Sequence, residues 1–112
     1  MGVTDRDLYR NGNASSGKLD TLRNSDVDIY TDRQQGEICV RGRKGVSCWD
    51  DPTQVVVTAR LKRLPRGTVY DDTRLVLYED FPGAGHWNWR PAGDILGSEF
   101  LTALRAVDAF FI

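Results

Sequence analysis

Short bursts of alternating apolar and polar residues run through most of this chain and predict strands; a helical period takes over only near the C-terminal end. Val27-Asp28-Ile29-Tyr30 alternates as a half-buried strand does, and Arg74-Leu75-Val76-Leu77-Tyr78-Glu79 reads as another strand. In His86-Trp87-Asn88-Trp89-Arg90 the period of two turns His86, Asn88 and Arg90 to one face and Trp87 and Trp89 to the other. If the tryptophan face is core, the His86, Asn88 and Arg90 face is polar and faces a ligand; the alternative is an ordinary solvent-exposed strand face. Val3 to Arg10 predicts a short strand running into a turn at Asn11-Gly12. Ser15 or Ser16 predicts an N-cap for one or two helical turns over Lys18–Arg23. Asp94–Val107 fits an amphipathic helix with Ile95, Leu101, Ala103, Leu104 and Val107 on one side, capped by Asp94 or Ser98.

The middle of the chain predicts a hairpin from Glu37 to Asp50. Ile38-Cys39-Val40 and Val46-Ser47-Cys48-Trp49 flank Gly42-Arg43-Lys44-Gly45, whose glycines suit a tight turn. With Arg43-Lys44 as a two-residue turn, Cys39 and Cys48 face each other across the strands. Val55-Val56-Val57 is a buried strand or a buried helical turn; Asp51-Pro52-Thr53 equally starts a short helix with Pro52 at its first position. Pro65-Arg66-Gly67-Thr68 reads as a turn and Phe81-Pro82-Gly83-Ala84-Gly85 as a loop. Many short strands with a few peripheral helices predict an α+β domain. Its sheet is expected to hold Glu37–Val40, Val46–Trp49, Arg74–Tyr78 and His86–Trp89, closed by the C-terminal helix.

Length limits the chain to one domain, residues 1–112, with a single modest core. A net charge of -1 excludes a general polyanion binder driven by counterion release. Arg41, Arg43 and Lys44 still cluster in one turn, and Arg60, Lys62, Arg63 and Arg66 in another, so a phosphate has local receptors; a solvated charged face is the plainer reading. No apolar run approaches the roughly 20 residues that span a bilayer, and Met1 to Arg10 has no apolar signal-peptide core, which points to folding in the cytoplasm or to leaving it by a route that needs no cleavable signal. Cys39 and Cys48 are too few for a disulfide scaffold, and no metal motif surrounds them.

Candidate chemistry gathers around Gly85-His86-Trp87-Asn88-Trp89-Arg90-Pro91, which carries the chain's single histidine and two of its three tryptophans. A histidine titrates near neutrality, and the aromatics beside it can wall a planar ligand. Arg10, before a glycine-containing turn, can hold a pyrophosphate through its planar fork, or be an ordinary surface arginine. Ser47 lacks a nucleophile-elbow pattern and suits ligand orientation better than hydrolysis. Glu79 is the most plausible acidic neighbour, with a strand-end surface carboxylate as its plainer identity. No phosphate-binding loop or dinucleotide fingerprint is present.

The order of four short motifs resembles the small ADP-ribosyltransferase-like toxins delivered between bacteria by type VI secretion. They are Asp7-Leu8-Tyr9-Arg10, Gly45-Val46-Ser47-Cys48-Trp49-Asp50, Leu64-Pro65-Arg66-Gly67-Thr68 and Ala84-Gly85-His86-Trp87-Asn88-Trp89-Arg90-Pro91-Ala92. The resemblance implies a mixed split-sheet fold and an NAD-dependent activity that arrests growth in the target cytoplasm. It implies catalytic roles for Arg10, Ser47 and His86, with Arg10, Tyr9, Trp49, Trp87 and Asn88 binding NAD as substrate and no metal. The partners it implies are a cognate immunity protein over the active site, a secretion-apparatus carrier and an acceptor in the recipient cell. Val46 stands where the family has threonine, and the usual transferase glutamate has no placed counterpart. Two other classes compete: a β-rich module stacking single-stranded nucleic acid on Trp49, Trp87 and Trp89, and an immunity or adaptor protein without chemistry.

Overall fold

The strongest alternations in the chain become neighbours in a five-stranded antiparallel sheet. The computed structural model describes residues 1–12, 27–40, 45–55 and 59–112. Along the chain run β1 (Gly2–Val3), β2 (Leu8–Asn11), β3 (Asp28–Asp32), β4 (Gly36–Val40) and β5 (Val46–Trp49). A turn of 3-10 helix (Pro52–Gln54) follows, then β6 (Leu61–Leu64), β7 (Val69–Tyr70), β8 (Leu75–Asp80), β9 (His86–Pro91), β10 (Ile95–Leu96) and α1 (Gly97–Asp108). The large sheet has the order β6-β2-β5-β9-β8; β10-β4-β3 form a second sheet, and β1 and β7 a two-stranded ribbon. Antiparallel sheets with one C-terminal helix make the chain broadly α+β, as its pattern predicts.

The four predicted sheet segments are all strands, but they belong to two sheets rather than one, and the Glu37–Asp50 hairpin does not form. β4 lies between β3 and β10, with Cys39 in register with Ile29 on one side and Ile95 on the other. β5 lies between β2 and β9. A strand has two hydrogen-bonding edges, and in each of these both are taken, so neither can pair with the other. Cys39 and Cys48 therefore do not face each other across a ladder; both are free thiols in the core between the sheets. The predicted turn at Gly42–Lys44, the helical turns over Lys18–Arg23 with their Ser15 or Ser16 cap, and Val56–Val57 lie outside the described residues.

Register decides which face of the large sheet is core. Leu8, Val46, Cys48, Leu64, Leu75 and Trp89 share one face and are buried. Ile29, Cys39 and Ile95 from the second sheet meet them, with Phe100, Ala103, Leu104 and Val107 from α1. Trp89 is fully buried and packs edge-on against Tyr70 with ring centroids 5.0 Å apart. The apolar stripe of α1 is centred on Phe100, Leu104 and Val107, and Leu101 lies at its margin, half-buried. The helix starts later than the pattern predicts, at Gly97, and neither Asp94 nor Ser98 caps it: Leu96 holds the N-cap position without a side-chain bond. Pairing of Ile95 and Leu96 with Cys39 and Ile38 keeps the chain extended to that point. The predicted short helix at Pro52 does form, with Asp51 at its N-cap accepting from the Thr53 N–H.

Burial has a measurable consequence for the thiols. It pushes Cys39 up to about 11 and raises Cys48 as well, so both stay protonated at neutral pH, and the thiolate is the reactive form. A thiol reagent at neutral pH is expected to find neither cysteine in the native protein and both after denaturation. Rapid modification of either in the native state would contradict this packing.

Candidate functional site

The outer face of the large sheet gathers the polar residues that the alternation of β9 predicts. His86, Asn88 and Arg90 project from one side of β9; Ser47 and Trp49 stand beside them on β5, and Tyr78 and Asp80 on β8. Their centre is Asp80, the last residue of β8 and the register partner of His86, the first residue of β9. Asn88 donates from Nδ2 to Asp80 Oδ2 at 2.7 Å, and Arg90 donates from Nη2 to Asp80 Oδ1 at 2.6 Å. Arg90 also donates from Nε to Asn88 Oδ1, which fixes the orientation of the amide. His86 Nδ1 lies 2.9 Å from Asp80 Oδ2. An ionised carboxylate only accepts, so this bond places a proton on Nδ1, and whenever the ring carries a single proton Nε2 is the acceptor.

Aromatic rings flank the network on both sides. The Trp49 ring meets the His86 ring with centroids 4.4 Å apart, and the Arg90 guanidinium lies 4.0 Å from the centroid of Tyr78. A cavity of about 500 Å³ opens over Tyr78, Asp80, Phe81, Pro82 and Arg90, within the range of small-molecule sites. Backbone geometry leaves little slack here. A Cβ on Gly45 would stand 2.5 Å from the Trp89 carbonyl oxygen and 2.8 Å from Asn88 Oδ1, so only glycine lets β5 begin this close to the network.

The sequence-derived candidates separate into two groups. Ser47, His86, Asn88 and Trp49 share the outer face, with Tyr9 beside Trp49 across the β2–β5 pair. Arg10 does not join them. Tyr9 is the register partner of Trp49, so the next residue, Arg10, turns to the Cys48 side of the sheet. Its Nη1 donates to the Ser47 backbone carbonyl at 2.8 Å, while its Nε is buried near the Cys48 thiol. Trp87 also faces away from His86. Its Nε1 donates to Asp50 Oδ2 at 3.1 Å and the Arg6 guanidinium covers its ring at 4.3 Å. With Trp89 buried, Trp49 is the one tryptophan left on the outer face, and a three-ring stacking platform for nucleic acid does not exist.

Asp80, the carboxylate at the centre of this network, is the residue that the alternation argument passes over. Glu79 is the wrong choice of acid because it is paired with Trp87 and shares that face. The signal was present: five residues separate Asp80 from His86, and a hairpin across Phe81–Gly85 makes the two register partners. No protein-family model, curated protein or solved structure matches the chain. The geometry of this face carries the functional argument alone.

Proposed function

We propose that this protein is an NAD-consuming toxin of the ADP-ribosyltransferase type, working on the outer face of the five-stranded sheet. The observation that carries the reading is the bond from His86 to Asp80, which presents an imidazole acceptor beside an aromatic ring and a free hydroxyl. A ribose hydroxyl needs an acceptor of that kind, and His86 Nε2 supplies it. Ser47, exposed on the neighbouring strand, supports the same sugar, and Trp49 walls the nicotinamide. Asn88 and Arg90 hold Asp80 and so hold His86. The arrangement costs no reorganisation when substrate arrives, which is how positioning lowers a barrier. Arg10 enters as a brace on the Ser47 carbonyl and not as a phosphate ligand.

Loss of nicotinamide leaves an oxocarbenium-like ribose, which an acceptor or water then captures. Rate therefore depends on holding the sugar while that bond breaks. Such an activity in the cytoplasm of a producing cell calls for an immunity protein over the outer face, a carrier to the recipient and an acceptor there. Incubation of the purified protein with NAD is expected to release nicotinamide, and expression in a bacterial cytosol to arrest growth. A folded His86→Ala variant is expected to lose at least tenfold in rate, equivalent to about 1.4 kcal/mol of transition-state stabilisation. Absence of both turnover and growth arrest in the wild type would sink the reading; full turnover in the variant would remove His86 from it.

A further inference from the structure

Phe81 is the one residue other than glycine with a positive φ among the described residues, at 51°, and its side chain is 82% exposed. A bulky aromatic in that conformation is strained, and folded proteins retain such strain where surrounding structure enforces it, often at ligand sites. Here the enforcement is visible. The Ala84 N–H donates to the Phe81 carbonyl at 2.9 Å across Pro82-Gly83, with Gly83 at φ 86°, a tight turn with proline second and a left-handed glycine third. The turn bond sets the direction in which the Phe81 side chain leaves the backbone, at the edge of the cavity it lines. Tyr78, half-exposed, has the Arg90 guanidinium over its ring and lines the same cavity of about 500 Å³ with Phe81 and Pro82. Both rings therefore border one cavity, and the cation restrains Tyr78, so a flat group settling there costs that ring little freedom.

We infer that Tyr78 and Phe81 form a second ring-stacking subsite, and that it takes a purine-type base. Position separates it from the Trp49 wall. β5 and β8 lie on opposite sides of β9, and two strand spacings amount to about 10 Å, so one ring cannot rest on both shelves. A ligand that uses both carries two rings joined by a linker, and the base farther from His86 is the one on Tyr78 and Phe81. The assignment of that base to the adenine end of NAD rests on the function proposed above; the existence of the shelf does not.

Phe81→Asn provides the test, because asparagine accepts a left-handed conformation and lacks the ring. Calorimetric titration of the wild type and the variant with AMP, with nicotinamide mononucleotide and with NAD separates the possibilities. AMP is expected to bind the wild type and to weaken at least tenfold in Phe81→Asn, with nicotinamide mononucleotide unchanged within about twofold, a size of effect typical of one base–aromatic stack. Phe81→Gly, which also relaxes the backbone, is expected to reproduce the loss. Equal AMP affinity in wild type and variants, or no AMP binding by the wild type, would overturn the subsite. Loss of nicotinamide mononucleotide instead of AMP would overturn the purine assignment. Wild type that binds AMP through Phe81 but leaves NAD intact keeps the subsite and discards the proposed activity; NAD turnover with an unchanged KM in Phe81→Asn does the reverse.

Discussion

Asp80→Ala is expected to be the most damaging single change on the outer face. It removes the acceptor of three side chains at once. Arg90, whose side chain is only 13% exposed, is left as a largely buried cation without this carboxylate. Deleting the acceptor of three part-buried donors, one of them a cation, is costly, and with Asp80 itself 23% exposed a loss of about 3 kcal/mol is expected. The imidazole of His86 also loses the bond that fixes its proton on Nδ1, so the proposed NAD turnover should fall about a hundredfold, the scale set by small misplacements of reacting groups. Asp80→Asn keeps the size and one acceptor oxygen, and should lie between Ala and wild type in stability. Denaturant midpoints measured beside nicotinamide release read both effects. A midpoint for Asp80→Ala within experimental error of wild type would show that the network does not hold the β8–β9 hairpin.

Phe100→Ala is expected to be the most damaging change in the core. Phe100 is fully buried between α1 and the two sheets, and removal of a buried phenyl leaves a cavity costing about 3–5 kcal/mol. Leu104→Ala, equally buried, is expected to cost about 2–5 kcal/mol. Leu101→Ala serves as the control: half-buried at the margin of the stripe, it is expected to cost well under either of them. Urea denaturation of the three variants should give that order. A loss for Leu101→Ala as large as for Phe100→Ala would mean that the helix is rotated about its axis relative to the packing described here.

Local pattern carried further in some parts of this chain than in others. β9 is the clearest success, because alternation within one strand depends only on the pleat, and the pleat is the same wherever the strand lies. The separation of His86, Asn88 and Arg90 from Trp87 and Trp89 follows from that alone. The turn residues of Phe81–Gly85 and the cap at Asp51 are legible for a similar reason, since the backbone conformations they favour are local. The hairpin between β4 and β5 failed because local pattern cannot say which edge a strand uses. Glycines on either side of Arg43-Lys44 suit a tight turn, but the edges of β4 are filled by β3 and β10 and those of β5 by β2 and β9.

The candidate site divides along the same line. Ser47 and His86 lie on one face because β5 and β9 pair with Trp49 opposite His86, a register that no property of either segment fixes by itself. Arg10 fell on the wrong side by one residue of parity, since a shift of one position in β2 reverses every side chain it presents. Asp80 became the centre of the network only when β8 and β9 closed into a hairpin and brought a carboxylate of unremarkable sequence context within hydrogen-bonding distance of three partners. By itself the sequence determined the longer strands β3, β4, β5, β8 and β9, most of the C-terminal helix, and which residues of a strand travel together, because these follow from short-range sterics and the period of burial. The tertiary structure alone decided which strands are neighbours, which face of the sheet meets the core, and which acid serves the histidine. Those are set by long-range pairing, where the free energy lies in contacts between residues the chain keeps far apart.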